Sequence, residues 1–487
     1  MTILLKPLFK KSLFGLICLL FISWSVSAQD TPSNNTWSLE QCVQYAIKNN
    51  VSVMQSDLQV QVSENNYLQS KVSRYPDLNA GANQNFNWGR SIDPFTNQFV
   101  NQRISSNNFS LNSSLTLFDG FSISNTIKRN QIDVEVDRLT AQQSRNDVSL
   151  NVALGYLNIL LNKELLSVAE QNVLSTQAQL DRTQKLFDAG AVAENDVIDL
   201  KATLSNNELA VVNAKNQLQI SYVTLQQLMN LPVTLNFEVR EVSIEALDVI
   251  NFSETADQIY QTALTNQPNI RSAERNEESA AYSIDIAKSG SYPTLTLSGS
   301  IFTGYSSATT RDGSEFFNFV DTVGFVDGNT SVPVTSERSF ALPEKAPFFD
   351  QLGDNFRQQI SLSLNIPIFN RWQVKNQVNN AVINKKSAEL STQNLKNQLR
   401  QTIEQAYVDA QSALNTYQAR QKQVEALELS YETTEKRYNA GAANVVDFNL
   451  ARINRDNARS DAVRAKYDYL FRKKVLDFYL GRDLSID

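Results

Sequence analysis

The chain has 487 residues, 44 of them basic and 51 acidic, and it contains no histidine. The missing histidine excludes histidine-based acid–base catalysis and histidine metal sites, and the net negative charge argues against binding to nucleic acid. Adjacent acids such as Glu277 and Glu278 point apart on a predicted helix, so a solvated face explains them. We therefore expect no catalytic residue, no cofactor and no metal site.

The first 28 residues have the features of a secretory signal peptide. They contain three lysines, an apolar run and an Ala-x-Ala-like end, namely Lys6, Lys10, Lys11, Leu13 to Trp24 and Val26-Ser27-Ala28. Cleavage removes three of the 44 basic residues and leaves 41 against 51 acidic ones, a net charge of −10. It also leaves Cys42 as the single cysteine, so we expect an exported protein that is stable without an internal disulfide.

The next element is a predicted helix from Trp37 to Arg74, which stops at Tyr75-Pro76 because the residue before a proline disfavours the α region. A second copy of this pattern runs from Glu254 to Ser291 and stops at Tyr292-Pro293. The two prolines are 217 positions apart. The chain is therefore predicted to be an internal tandem repeat.

Four segments then alternate apolar and polar residues with period two, namely Leu78 to Trp88, Asn107 to Leu117, Thr294 to Ile301 and Gln359 to Ile368. Each is near the length of about 9–11 residues with which a tilted strand crosses an outer membrane. After the signal peptide, no stretch approaches the roughly 20 consecutive apolar residues of a membrane-spanning helix. A half-buried sheet on a soluble core would show the same alternation. The polar positions are Ser, Thr, Asn and Gln, which suit a water-filled lumen, and this favours membrane strands.

Aromatic residues lie near the strand ends that would share one side of the membrane, namely Tyr75, Phe118, Phe121, Tyr292, Phe369 and Trp372. We expect them to form an interfacial girdle, with Tyr75-Pro76 and Tyr292-Pro293 as strand–helix junctions. Four strands are fewer than the roughly eight of the smallest closed membrane barrels, and open strand edges are not viable in lipid. If the strands span a membrane, several copies must therefore share one ring.

A polar helix of unusual length follows each second strand. Phe118 to Gly190 and Phe369 to Gly441 both span 72 positions, and a helix of some 65 residues is about 100 Å long. The second copy has a narrow apolar seam at steps of three and four, formed by Leu395, Leu399, Ile403, Ala406, Ala410, Ala413, Leu414 and Tyr417. The helices on either side are about half as long, so each repeat is predicted to form an antiparallel coiled pair.

Two helical hairpin tips are predicted from a stretch that occurs twice, as Arg182 to Val197 and as Glu435 to Phe448. Gly190 and Gly441 align at an offset of 251. A glycine there can end one helix in the left-handed conformation. Asp196 and Asp447 then fall in the first turn of the next helix, where an acid complements the helix dipole.

The repeats set the predicted boundaries: 1–28 for the signal peptide, 29–232 for the first structural repeat, 233–253 for an equatorial linker, 254–481 for the second repeat and 482–487 for a C-terminal tail. The offset between matching positions of the two repeats is 217 before the strands and 251 after them. The second repeat therefore has 34 additional residues, which lie between the third and fourth strands. They fall in 306–354, which is rich in Gly, Asp, Ser and Phe and is expected to be a long extracellular loop.

In the order of these elements, the tandem duplication and the two tips, the chain resembles the TolC family of outer-membrane efflux proteins over nearly all its mature length. The resemblance implies a mainly α fold with a small β part, in which four strands from each of three copies form one twelve-stranded barrel. The long helices would form a periplasmic α-barrel below the outer membrane of a Gram-negative bacterium. It further implies an exit duct for drugs, metals, peptides or proteins that works with an inner-membrane transporter and a periplasmic adaptor.

Residue by residue, the resemblance assigns adaptor docking to two glycines and the residues after them, namely Gly190, Ala191, Val192, Gly441, Ala442 and Ala443. Both glycines are equally explained as helix ends. Asp447 matches an aspartate that lines the family's periplasmic aperture, and Asp196 is its counterpart in the first repeat. Both acids are also explained by the helix dipole. The family's second ring aspartate is Leu450 here, and an arginine of some members is Ala443, so the detailed latch differs.

Two other functions stay open at this point. A non-conducting periplasmic coiled-coil scaffold of the cell envelope would show the same helical patterns. A hydrolase is disfavoured because Cys42 has no histidine to activate it, although carboxylates alone can hydrolyse glycosides.

Overall fold

The computed structural model describes residues 36–92, 97–101, 103–233, 237–241, 254–326 and 332–482. The predicted signal peptide, residues 242–253 of the predicted linker and residues 483–487 of the predicted tail lie outside the described residues.

The described helices confirm a mainly α fold and repeat with the spacing of the sequence. They are α1 (Leu39–Asn49), α2 (Val51–Val72), α3 (Ser122–Asp188), α4 (Glu194–Leu228), α5 (Ala256–Asn266), α6 (Pro268–Ser289), α7 (Phe348–Asp354), α8 (Gln373–Asn439) and α9 (Val445–Tyr479). The bounds of α1 and α2 recur in α5 and α6 at an offset of 217, and those of α3 and α4 recur in α8 and α9 at 251. Both long helices have 67 residues and both returning helices have 35.

The predicted entry helix of each repeat, Trp37 to Arg74 and Glu254 to Ser291, is broken once in the structure. The prediction of one continuous helix at each place was therefore wrong. In the first repeat Asn50 caps the start of α2, because its side-chain oxygen accepts a hydrogen bond from the Ser52 amide at 2.9 Å. In the second repeat Pro268 is the first residue of α6, a position where its missing N–H costs nothing. The two breaks are at equivalent positions, although different residues cause them.

The described strands are β1 (Thr36–Trp37), β2 (Asn79–Asn87), β3 (Arg90–Ile92), β4 (Phe99–Asn101), β5 (Ile104–Phe118), β6 (Glu238–Val239), β7 (Thr294–Ser306), β8 (Thr310–Phe325), β9 (Pro333–Lys345) and β10 (Arg357–Asn365). The four predicted strands form one antiparallel sheet in the order β10-β7-β5-β2. The fourth strand ends at Asn365, before the predicted Ile368. Within 306–354, where we expected a loop, the chain forms the β8–β9 hairpin and α7.

One compact unit comprises the described residues within 1–45 and 152–248. Its short parallel pair, β1 and β6, is tied to α3 by the buried hydroxyl of Tyr156, which lies 3.2 Å from the Trp37 carbonyl oxygen and 2.7 Å from that of Arg240. Among the described helices, α3 alone contains an 18-residue stretch apolar enough to cross a membrane. Val152, Tyr156 and Ile159 of that helix are fully buried.

The second compact unit comprises the described residues within 46–151 and 249–484. Its core lies along α8, which packs against α5, α6 and α9. The predicted seam supplies this core: Leu399, Ile403, Ala410, Ala413 and Leu414 are buried, and Leu395, Ala406 and Tyr417 pack beside them. A returning helix and a broken entry helix thus lie along one long helix, as the lengths predicted.

Candidate functional site

The four-stranded sheet has one polar and one apolar face, because its register aligns the alternating residues of all four strands. Asn79, Asn112, Ser300 and Gln359 form one row across the polar face. The next rows hold Ser114, Ser298 and Ser361, then Thr116, Thr296 and Ser363. The hydroxyl oxygens of Ser298 and Ser361 are 3.1 Å apart. Water can therefore solvate this face along its length.

The opposite face carries aliphatic residues, and in the isolated chain many of them are exposed. Leu111 pairs with Ile301, Leu115 with Leu297, and Leu297 in turn with Leu362. The exposed fraction of the side chain is 83% for Ile360 and 63% for Leu362. In water such a surface is unfavourable. The strand-interior residues of this face therefore fit contact with lipid.

Strands join helices through a left-handed dipeptide in both repeats. Gly120 and Phe121 have φ values of +65° and +68°, and their counterparts Arg371 and Trp372 have +52° and +64°. A Cβ atom on Gly120 would lie 2.7 Å from the Cβ atom of Tyr292. Glycine is therefore required at position 120 both by the positive φ of the backbone and by the close approach of Tyr292. The sequence showed neither requirement.

The predicted interfacial aromatic residues lie at these junctions. Phe118 and Phe121 contact each other edge to face, with ring centroids 5.4 Å apart. The ammonium nitrogen of Lys375 lies 3.8 Å from the ring centroid of Trp372. Tyr75, Tyr292 and Phe369, near the same junctions, are exposed. Pro76 and Pro293 each lie between a helix and the strand that follows it. This mixture of apolar rings and a cation suits the level of lipid headgroups.

Each predicted tip is a helix end closed by glycine. Gly190 has a φ of +74°, and the Ala191 amide donates to the Leu186 carbonyl at 2.8 Å. Gly441 has a φ of +73°, and the Ala442 amide donates to the Arg437 carbonyl at 2.8 Å. These bonds form the Schellman motif. No atom lies within 4 Å of a Cβ atom built on either glycine, so only the backbone requires glycine there.

The residues that follow the two glycines are partly or fully exposed, namely Ala191, Val192, Ala442 and Ala443. Asp196 is half-buried and Asp447 is exposed, and both lie in the first turn of their helices. The α9 helix is capped by Asn444, whose side-chain oxygen accepts from the Asp447 amide at 2.7 Å, whereas Ala193 gives α4 no side-chain cap. The structure therefore leaves the Asp447 carboxylate free of the capping role.

At two matched positions the interior of the second tip is polar where that of the first is apolar. Leu180, Val197 and Leu200 form the core of the first tip, with Phe187 and Leu204 beside them. In the second tip, the positions of Leu180, Val197 and Leu204 hold Tyr431, Phe448 and Arg455. The Arg455 guanidinium lies 3.8 Å from the Tyr431 ring centroid and pairs with Asp456 at 2.7 Å. Its charge is therefore compensated.

Arg452, three residues before Arg455, is buried without a hydrogen-bonded ion pair in the described chain. Its side chain is 1% exposed, and neither terminal nitrogen has a hydrogen-bond partner within the described chain. Burial lowers the pKa of the Arg452 guanidinium from its usual value. Its counterpart in the first repeat, Lys201, is exposed. A buried cation without a hydrogen-bonded partner is costly, so we expect Arg452 to lower the stability of the second tip.

The described part of the chain contains one cysteine, Cys42, and it lies in the core. Cys42 is buried, and its burial raises the pKa of its thiol to about 12, so it is an unreactive core residue. Within the described residues, no group of three or more acids and cysteines could hold a metal ion. The arrangement that remains is a sheet with a polar wall, attached to long coiled helices with exposed tips.

A model of the family described as "Outer membrane efflux protein" matches residues 42–231 and 259–482, well over half of the chain. The chain belongs to the outer membrane efflux protein family. The predicted family is thereby confirmed.

Relatives within the efflux protein family are distant. TolC of Escherichia coli K12 is 25% identical over 350 residues, which cover 71% of this chain and 64% of TolC. The pyoverdine export outer membrane protein OpmQ of Pseudomonas putida is 23% identical, over 63% of this chain and 56% of OpmQ. Both alignments span less than two thirds of the relative's own length. These names agree with the predicted outer-membrane localisation.

Solved structures of outer membrane proteins share the fold along most of the chain. CusC, described in terms of transmembrane channel formation, superimposes with a TM-score of 0.72 at 16% identity and covers 93% of this chain and 96% of CusC. VceC of Vibrio cholerae gives a TM-score of 0.71 at 15% identity, over 92% and 97% of the two chains. The efflux protein fold is thus shared although few residues are identical.

We predict that Gly120→Ala destabilises the protein more than Gly441→Ala. Both changes place a side chain at positive φ, which costs about 1–2 kcal/mol, but only the first adds a clash, typically another 1–3 kcal/mol. The midpoint of thermal unfolding in detergent measures both. Equal losses would show that the contact with Tyr292 relaxes freely.

We predict that Arg452→Met stabilises the second tip, because it removes a buried unsatisfied cation whose cost is at least about 1–3 kcal/mol. The matched change Arg455→Met should destabilise the tip, since it removes the ion pair with Asp456. Amide hydrogen exchange of α8 and α9 near Gly441 reports both effects. Faster exchange in the Arg452 variant would contradict the prediction.

Proposed function

We propose that the protein is a passive outer-membrane exit duct of a tripartite efflux or type I secretion system. In this role it conducts substrates outward from an inner-membrane pump and a periplasmic adaptor. It binds no substrate tightly, supplies no energy and catalyses no reaction. The family and the names of relatives such as OpmQ support export as the general function, and the neighbours OprN and CmeC are described as outer-membrane channels.

The observation that carries the proposal is the four-stranded sheet. One face is lined by hydroxyl and amide groups and the other by exposed aliphatic side chains, as a wall between water and lipid requires. Strands β2 and β10 are both edges of this sheet within the described chain. An edge in lipid leaves backbone groups without hydrogen-bond partners, each costing several kcal/mol. Further copies are therefore needed to complete the wall.

The number of copies follows from the strands that each contributes. Two copies would supply about eight strands, the number found in the smallest barrels. The interior of such a barrel is filled by side chains. Three copies give twelve strands and leave room for a passage, in agreement with the trimer that the family resemblance implies. The long helices α3 and α8, each of 67 residues, would continue this passage by about 100 Å into the periplasm.

The tips provide the surface for the adaptor in this proposal. Gly190 and Gly441 expose backbone at the ends of the hairpins, and the neighbouring alanines keep these ends narrow. The carboxylate of Asp447 would face the periplasmic aperture, where three copies bring three charges together. Such a ring attracts cations and repels anions.

Planar-bilayer recording tests the duct, and the purified protein should open an ion conductance. We predict that Asp447→Lys shifts the reversal potential in asymmetric salt toward anion selectivity, because it reverses the charge of the ring. Asp196→Lys is the matched change in the first repeat. Protein that never conducts, even with disrupted tips, would instead support a scaffold. An unchanged reversal potential would remove Asp447 from the pore.

Adaptor docking is separable from helix termination at Gly441. Asparagine tolerates the left-handed conformation, and the space around the glycine is open, so Gly441→Asn should fold normally. We predict that it nevertheless weakens adaptor capture in a pull-down, because the added side chain covers the exposed backbone. Undiminished capture by this variant and by Gly190→Asn would restrict both glycines to ending helices.

A further inference from the structure

A groove with a volume of about 460 Å³ lies beside the second strand–helix junction, between the end of α6 and the start of α8. Most of the residues that line it are apolar. Pro367, Val374 and Val378 are half-buried in it, whereas Ile368 and Trp372 are exposed along its side. The groove therefore presents an apolar surface to whatever surrounds this end of the sheet.

The same groove carries positive charge that no acid compensates. Lys375 lines it, and the ammonium nitrogen of this lysine lies 3.8 Å from the ring centroid of Trp372. Arg371 follows the lining residue Asn370 and is exposed. Neither cation has a carboxylate within ion-pair distance in the part of the chain that the structure describes. Residues 366–378 contain these two cations and no acid, so the groove attracts anions.

The equivalent junction of the first repeat has the opposite charge. Its sequence contains one acid, Asp119, and no cation, since Ser124 takes the place of Lys375 and Gly120 that of Arg371. The Asp119 carboxylate is already used, because it accepts a hydrogen bond from a backbone amide of α3 at 2.7 Å. The repeated backbone therefore does not require the two cations, and their positive charge is particular to the second junction.

An anion with an apolar body matches both properties of the groove. In the proposed duct the helix-side end of β10 lies at the membrane surface, the level that tryptophan and lysine side chains favour. The side chain of Ile368 is 95% exposed there, so it offers a surface for acyl chains. The ammonium group of Lys375 binds phosphate as a compact charge. A soluble anion would satisfy the lysine but would leave the apolar lining in water.

We propose that this groove is a binding site for an anionic phospholipid, with the lipid phosphate at Lys375 and the acyl chains along Ile368 and Trp372. The proposal rests on the exit duct proposed above, because that function places the second junction at the membrane surface. A zwitterionic lipid fills the apolar part equally well but gains less from the two cations, since its own ammonium group opposes them. The site therefore selects lipids by charge.

Trp372 lines the groove, so its fluorescence reports directly on a bound lipid. The protein with Trp88→Phe is reconstituted into phosphatidylcholine vesicles, and Trp372 is then the exposed tryptophan of the described chain because Trp37 is buried. A minor fraction of the lipid is phosphatidylglycerol with brominated acyl chains, which quench a tryptophan that they contact. The same fraction of brominated phosphatidylcholine is the reference. We expect phosphatidylglycerol to quench Trp372 several-fold more strongly than phosphatidylcholine does.

Two lysine variants separate the site from the overall charge of the protein. Lys375→Gln keeps most of the side chain but removes its charge, so it should reduce quenching by phosphatidylglycerol toward the level of phosphatidylcholine. Lys288→Gln is the matched control. Lys288 lies in the last turn of α6 and pairs with Asp285 at 3.0 Å, so its loss should leave the preference unchanged. An equal loss in both variants would overturn the site.

The remaining outcomes distinguish the lipid site from other occupants and from failure of the duct. Inorganic phosphate should not abolish the preference when it is compared with chloride at equal ionic strength, and abolition would make the groove a site for soluble anions. Protein that floats with the vesicles but shows equal quenching by both lipids, or none because a neighbouring copy covers Trp372, would leave the duct intact and remove the site. Protein that does not float with the vesicles would remove the membrane strands and the exit duct with them.

Discussion

The architecture depends on backbone hydrogen bonds at two strand edges. Within the described residues, strands β2 and β10 each leave one edge open, and in lipid the backbone groups of such an edge have no water to bind. A soluble protein can leave an edge in solvent or cover it with a helix. In the proposed duct, a sheet with one aliphatic and one hydroxylic face has neither option, so the sheets of further copies would continue it. The proposed assembly of several copies is thus argued from the geometry of one chain.

The length of the helices α3 and α8 is a second constraint on the fold. Helices of 67 residues are too long to be buried by a globular core, and α8 is instead packed along a narrow apolar seam. The returning helix and the broken entry helix are each shorter and lie along the same long partner in the second unit. This arrangement places a turn at the far end of each hairpin. The exposed tips are thus a by-product of pairing unequal helices.

The duplication shows how one backbone accommodates different chemistry. Helix bounds agree between the repeats to the residue, yet the interior of one tip is aliphatic and that of the other contains two arginines. Arg455 is hydrogen-bonded to Asp456, whereas the terminal nitrogens of Arg452, less than one helical turn away, have no hydrogen-bond partner in the described chain. Equivalent backbone positions therefore need not have equal stability, and a buried charge in one tip can weaken it while the fold is unchanged.

By itself, the sequence determined the features that have a period. Alternation located the four strands, the seam located the coiled core, the offset of 217 located the two Tyr-Pro junctions and the offset of 251 located both tips, because each reflects backbone geometry repeated along the chain. Only the tertiary structure decided the features that depend on contacts between distant residues. These are the close approach of Gly120 to Tyr292, the burial of Arg452, and the pairing of β8 with β9 in a segment whose composition predicted a loop. No local pattern encodes which side chain will lie against another, so these contacts became visible only in the folded chain.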